Sequence, residues 1–257
     1  MDYKNLILKE PQERSDYKQI SDNVIESITH MVKDSFDSGN NKIEISTNIR
    51  GSFPLDNINK IAAPLIEAWA ADVFKKIKDD KNNFFNLINV QVGTKRTDLA
   101  DIVLQFHKSD NGEYSTANID VKSTTDSIRG AGKSPNITSF AKIRTAYIED
   151  PDFIFVILSI KYYPYAEEDS SGFGKCIVEL RNFKAYDFKY LSEDDFGINP
   201  ALGTGQIQIK DIHYVEITPR TTWDLVKLLD DKYIASKKHT FKNWEELAVK
   251  NEWIKLH

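Results

Sequence analysis

Two stretches decide the reading of this chain: ADIVLQFH (100–107) and ANIDVKS (117–123). Each alternates over a short apolar run, and the turn-forming segment KSDNGE (108–113) lies between them. This is the pattern of a β-hairpin. Strand side chains alternate, so Asp120 and Lys122 share one face while Val121 points to the other. Paired in a hairpin, Asp101 at the start of the first strand approaches Asp120. Two carboxylates that close repel each other unless a cation lies between them. Oxygen ligands with room for water suit Mg²⁺. Asp101 and Asp120 are therefore candidate metal ligands, with the Val121 carbonyl as a third.

Such a site fits phosphodiester hydrolysis, which needs charge neutralised at phosphorus and a water made acidic. The Lys122 ammonium is suited to orient that water and to stabilise negative charge, and it is also a candidate general base. The plain alternative is a solvated strand face that happens to carry two acids and a lysine. The setting weighs against it. Asp120 and Lys122 are interleaved with Ile119 and Val121, and Asp101 lies between Ala100 and Ile102, where charge is costly unless used. A fourth acid, Glu67, lies in PLIEAWAADVF (64–74). It either reaches the same metal region or forms an ordinary salt bridge at the edge of a helix face.

Outward from the hairpin, helical spacing of apolar residues predicts helices over 14–38 and 56–79, the second capped by Asp56. Strands are expected at 85–92, 152–162, 174–181 and 205–217. The unbroken apolar run DFIFVILSIKY (152–162) reads as a central strand buried on both faces. Helices are expected at 137–149, started by Ser134-Pro135-Asn136, and at 221–235 and 241–254. Trp223, Trp244 and Trp253 read as core. The fold class is α/β, a central mixed β-sheet flanked by α-helices. The whole chain, 1–257, reads as one endonuclease domain, with a catalytic core over about 56–165 and DNA-recognition and C-terminal elements over about 166–257.

Composition narrows the classes. The 257 residues are 40% hydrophobic and 28% charged, the balance of a globular domain. No apolar run reaches the roughly 20 residues of a membrane helix, and the N-terminus turns charged too early for a secretory signal. One cysteine, Cys176, excludes an internal disulfide and points to a reducing cytosol. The five histidines are scattered without metal-ligand spacing. The net charge of −5 argues mildly against nucleic-acid binding. Locally the balance reverses: residues 121–146 carry Lys122, Arg129, Lys133, Lys142 and Arg144 against one acid, Asp126.

An acid, an apolar strand, then IDVK resembles the motif of the PD-(D/E)xK nucleases, with Ala100 where that family has proline. The chain resembles more specifically the HincII-type restriction endonucleases of the EcoRV-like branch. The matching pieces, in order, are AAPLIEAW (62–69), ADIVL (100–104), IDVKS (119–123), SPNITS (134–139), INPALGTGQIQI (198–209) and TPRTTWDLV (218–226). The resemblance implies a Mg²⁺-dependent type II restriction endonuclease, a homodimer in the bacterial cytoplasm that cuts double-stranded DNA at a short palindrome. It carries the metal acids onto Asp101 and Asp120, the lysine onto Lys122 and a helix glutamate onto Glu67. It carries a recognition loop onto 123–136 and a second DNA-contacting segment onto 197–206, including Asn199. Lys133 and Ser134 depart from the glutamine and alanine expected there, and the loop is longer, so no target sequence carries over.

The chemistry of those segments is compatible with DNA contact. Candidates are Ser123, Arg129, Gly130, Gly132, Lys133, Ser134, Asn136, Asn199 and Gln206. Asparagine and glutamine pair with adenine edges and arginine with guanine; glycines let backbone approach a groove. Duller readings stand beside these: a surface turn at Gly130 and Gly132, a helix cap at Asn136, a turn at Asn199-Pro200, and the polar side of a strand at Gln206 and Gln208. A repair or junction-resolving nuclease on the same fold, and a DNA-binding protein without catalysis, remain the alternative functions.

Overall fold

The computed structural model describes residues 3, 6–56, 58–95, 98–107, 113–125, 134–168, 170–200 and 205–255. The expectations at Arg129, Gly130, Gly132 and Lys133, and most of the turn at 108–113, lie outside them. A mixed six-stranded sheet and five helices make the architecture α/β, as the alternation of patterns predicts. Among the described residues no helix is long and apolar enough to cross a membrane. The chain divides into two compact units, residues 22–133 with 156–186, and residues 1–21, 134–155 and 187–257.

The first unit carries the large sheet. Its strands are β1 (Lys42–Arg50), β2 (Leu87–Val92), β3 (Ile102–His107), β4 (Tyr114–Thr124), β6 (Ile154–Glu168) and β7 (Phe173–Asp187), in the order β1-β7-β6-β4-β3-β2. In β6 every residue from Ile154 to Ile160 is buried, which accounts for the unbroken apolar run and the interior position. β1 was hidden because its residues alternate between half-buried and exposed at a sheet edge. Helix α1 (Tyr17–Asp37) buries Val24, Ile28, Met31 and Val32. Helix α2 (Asn59–Asp79) packs on β2 and β4 and buries Ile66, Trp69, Ala70, Val73 and Phe74. The predicted cap at Asp56 does not form. The N-cap is Ile58, in helical conformation and without a side-chain cap; Asp56 is two residues too early to reach the first free amides.

The second unit holds a three-stranded sheet, β5 (Asn136–Ser139), β9 (Gln206–Ile209) and β8 (Phe196–Asn199), in the order β5-β9-β8. It also holds helices α3 (Phe140–Glu149), α4 (Thr222–Ala235) and α5 (Phe241–Lys250). Two expectations are corrected here. The helix at 137–149 begins at Phe140, because residues 136–139 pair with β9 and the Ser139 hydroxyl, not Asn136, accepts the Lys142 amide. The strand at 205–217 ends at Ile209, where the chain turns: Asp211 accepts the His213 amide, and Asp195 accepts that of Glu216.

The helices of this unit meet on a buried ion pair. Arg144 and Asp230 are both fully buried, joined at 2.7 and 2.9 Å. Asp230 also accepts from the Tyr3 hydroxyl and the Trp244 indole, and the guanidinium lies 4.1 Å from the Trp253 ring centre. Four donors on one carboxylate satisfy it without water. Trp244 and Trp253 are wholly buried as expected, while Trp223 is half-buried. Asp230→Ala leaves Arg144 charged and buried, and should lower the unfolding free energy by about 3–5 kcal/mol. Urea denaturation measures this; a loss under 1 kcal/mol would show the pair is dispensable.

Candidate active site

The site grows from the register of β3 and β4. Ile102 pairs with Ile119, and the antiparallel ladder runs from there to His107 opposite Tyr114. One step beyond the start of β3, the Asp101 amide donates to the Ile119 carbonyl at 2.9 Å. The Val121 amide then donates to Asp101 Oδ2 at 2.8 Å. Asp101 thus lies across from Asp120, as the hairpin predicts, with one carboxylate oxygen pinned to the neighbouring strand.

A second constraint acts from the other side. The Gly93 amide donates to the Asp101 carbonyl at 2.8 Å, and a Cβ at Gly93 would stand only 2.8 Å from the Ala100 carbonyl oxygen. Any side chain there must push the backbone that carries Asp101. The turn between them is closed by Asp98, which accepts the amides of Thr94 and Lys95. Sequence reasoning missed Gly93; the signal was an isolated glycine at a strand end, eight residues ahead of a candidate acid.

Asp120 is 5% exposed. The Lys122 ammonium lies 2.8 Å from its Oδ1 and 2.7 Å from its Oδ2. The Oδ1 contact is a hydrogen bond; Oδ2 is close but poorly aligned, and it remains a buried oxygen without a hydrogen-bond partner. Burial pushes the Asp120 carboxyl up to about 7 against the opposing pull of Lys122, with Asp101 and Glu67 adding repulsion. Glu67, half-buried on α2, is also raised, first by burial and then by Asp101, with Lys122 opposing. Glu67, Asp101, Asp120 and Lys122 therefore form one electrostatic cluster. The Val121 side chain is buried. Ser123 follows Lys122 in β4, half-buried.

Among the described residues no three His, Cys, Asp or Glu side chains are gathered as a ready cation cage. A cation that keeps most of its waters needs fewer protein ligands. A buried carboxylate whose charge is disfavoured by burial and by two neighbouring acids fits such an ion.

The family model described as type II restriction endonuclease HpaI matches residues 4–252. The chain is 48% identical over 256 residues to the type II restriction enzyme HpaI of Haemophilus parainfluenzae, covering 99% of this chain and 100% of that protein. This chain belongs to the HpaI family of type II restriction endonucleases. Site-specific cleavage of DNA is therefore the task the acidic cluster has to be measured against.

In this HpaI-family chain four of the described DNA-contact candidates, Ser134, Asn136, Asn199 and Gln206, lie in the second unit, while Ser123 lies in the first. Asn199 pairs with Gln206 across β8 and β9, Gln206 with Ser139 across β9 and β5, and Asn136 with Gln208. Directly paired residues share a face, so Asn136, Ser139, Asn199, Gln206 and Gln208 line one side of the small sheet while Ile207 and Ile209 are buried on the other. That side bears amides and a hydroxyl and no charge. Ser134 stands at its edge. Asn199 closes β8 and Pro200 begins a turn, in line with the turn expected at Asn199-Pro200.

With a carboxyl moved from the ordinary 3.8 to about 7, the folded protein holds a proton at Asp120 that the unfolded chain has released. Metal-free stability should therefore fall as pH rises between these values. Asp120→Asn should reduce the difference in unfolding free energy between pH 5 and pH 8, in EDTA, by on the order of 2 kcal/mol. Equal pH slopes for the variant and the parent would show that Asp120 is already ionised at pH 5.

Proposed function

We propose that Asp101, Asp120 and Lys122 are the catalytic residues of a Mg²⁺-dependent site-specific deoxyribonuclease. It cuts both strands of duplex DNA at a short palindrome. The observation carrying this is the buried Asp120 carboxylate, in register with Asp101, paired with the Lys122 ammonium and crowded by the charges of Asp101 and Glu67.

Asp101, Asp120 and the Val121 carbonyl hold the ion. Bound there, Mg²⁺ supplies positive charge against the phosphate and makes a water more acidic. The Val121 amide fixes one oxygen of Asp101 in place. Lys122 orients the attacking water and offers positive charge to the developing oxyanion. A water oxygen bonds to phosphorus as the bond from phosphorus to the 3′ oxygen breaks. The leaving oxygen takes a proton, giving 5′-phosphate and 3′-hydroxyl ends. Glu67 adds negative charge that strengthens the pull on a cation. The uncharged face of β5, β9 and β8 reads base edges through Asn136, Asn199 and Gln206, with Ser134 beside them. Arg129, Gly130, Gly132, Lys133 and Ser123 complete the DNA contacts.

Two identical sites serve the two strands of a palindrome, so the working form is a homodimer. Residues 1–257 act as one endonuclease domain. A single buried cysteine and the restriction family support a place in the bacterial cytoplasm.

Lys122→Ala should lower cleavage of plasmid DNA by about 100–1,000-fold or more, and Asp120→Ala should abolish it. Both should retain sequence-specific binding in a gel-shift assay. Sequencing the ends cut by the parent enzyme should give one recurrent palindrome. Activity that persists in EDTA, or variants that lose folding and not catalysis, would overturn these assignments.

A further inference from the structure

The repeated Gln-Ile-Gln-Ile of β9 puts Gln206 and Gln208 on the same face, each followed by isoleucine, yet the structure treats them differently. Gln206 makes no side-chain hydrogen bond among the described residues. Gln208 donates its Nε2 to the Ser134 carbonyl at 2.8 Å. Ser134 in turn donates its hydroxyl to the Lys210 carbonyl. These two bonds fasten the chain just ahead of Asn136 to the end of β9, and Asn136 lies directly across from Gln208.

The other end of the same segment is fastened as well. The Phe140 amide donates to the Gly205 carbonyl at 3.1 Å. Gly205 has φ +73, and a Cβ there would meet the Ile198 side chain at 2.8 Å. Only glycine enters β9 at this angle without strain. Between the two fastenings β5 is four residues long and breaks register with β9 between Asn136 and Ser139. So short and irregular a strand has too few ladder bonds to hold its own position. What fixes Asn136 is the bond from Gln208 on one side and the Gly205 contact on the other.

We propose that Gln208 is a positioning residue for sequence discrimination: it reads no base itself but holds residues 134–136 so that Asn136 meets its base edge. This rests on the reading of the small sheet as the base-reading surface. A bidentate amide-to-base contact discriminates only within a narrow geometry, and loss of one neutral hydrogen bond is enough to release a four-residue strand end. Gln206, facing outward without an internal partner, stays among the direct readers.

The test compares cleavage of the cognate site with cleavage of every site differing from it by one base pair. It uses the full-length enzyme and the variants Asn136→Ala, Gln208→Met, Gln208→Lys and the double variant Asn136→Ala/Gln208→Met. Gln208→Met keeps length but cannot donate. It should relax discrimination about tenfold at the base pair relaxed by Asn136→Ala, with kcat on the cognate site within about twofold. The double variant should relax no further than Asn136→Ala alone. Gln208→Lys, which can still donate to the Ser134 carbonyl, should retain parental discrimination. Relaxation by Gln208→Met at a different base pair, additive loss in the double variant, or no change at all overturns the proposal. An Asn136→Ala enzyme that discriminates normally overturns the underlying base-reading assignment instead. Should Gln208→Met fail to fold, Gln208→Thr, which suits a strand but is too short to reach the Ser134 carbonyl, carries the same expectations.

Discussion

The hydrogen bond from the Val121 amide to Asp101 ties the proposed active site to the sheet. It exists only because β3 and β4 pair with Ile102 opposite Ile119. A slip of one residue would turn every side chain of β4 to the other face. Asp120 and Lys122 would leave Asp101, and Ala117, Ile119 and Val121 would lose their buried side. The hydrophobic alternation that packs the strand therefore also fixes which residues of β4 face Asp101.

That arrangement is not a stabilising one. Asp120 is buried among Asp101 and Glu67, and Lys122 alone does not offset the burial, since the carboxyl remains raised. A group held against its preferred state is the mark of a functional site more than of a structural one. Contrast Asp230, equally buried, where four donors converge and no acid is left unsatisfied. The two aspartates show the same residue type in opposite settings: one closed by four hydrogen bonds that hold helices, the other facing a single ammonium with two acids nearby.

The sequence makes the first aspartate legible and not the second. Asp101, Asp120 and Lys122 stand out because a period of two puts charge into an apolar run, and that signal is local. The long strand β6 is legible for the same reason. Strands β5 and β8 are four residues each, too short for any period, and exist because β9 is there to pair with. Gly93 is visible only as one glycine among several until the Ala100 carbonyl is found at 2.8 Å. Asp230 lies in a helix of ordinary amphipathic pattern, and its partner is 86 residues away. Gln206 and Gln208 are the sharpest case, since the alternation of β9 puts both on one face and only the distant Ser134 separates them.

An acidic protein that handles DNA looks contradictory until its cations are followed to their partners. In the second unit Arg144 is closed on Asp230, Lys189 on Glu13, Lys227 on Asp224, and Arg220 donates to the carbonyls of Lys189 and Leu191. These charges maintain the fold and add little field outside it. The face that bears the sequence-reading candidates is uncharged, and amides need no positive field to distinguish bases. Phosphate attraction, which sets affinity and salt dependence, and base discrimination, which sets the target, are different physical demands. Net charge measures only the first. An excess of acids over the whole chain is thus compatible with a surface whose selectivity comes from neutral groups held in fixed geometry.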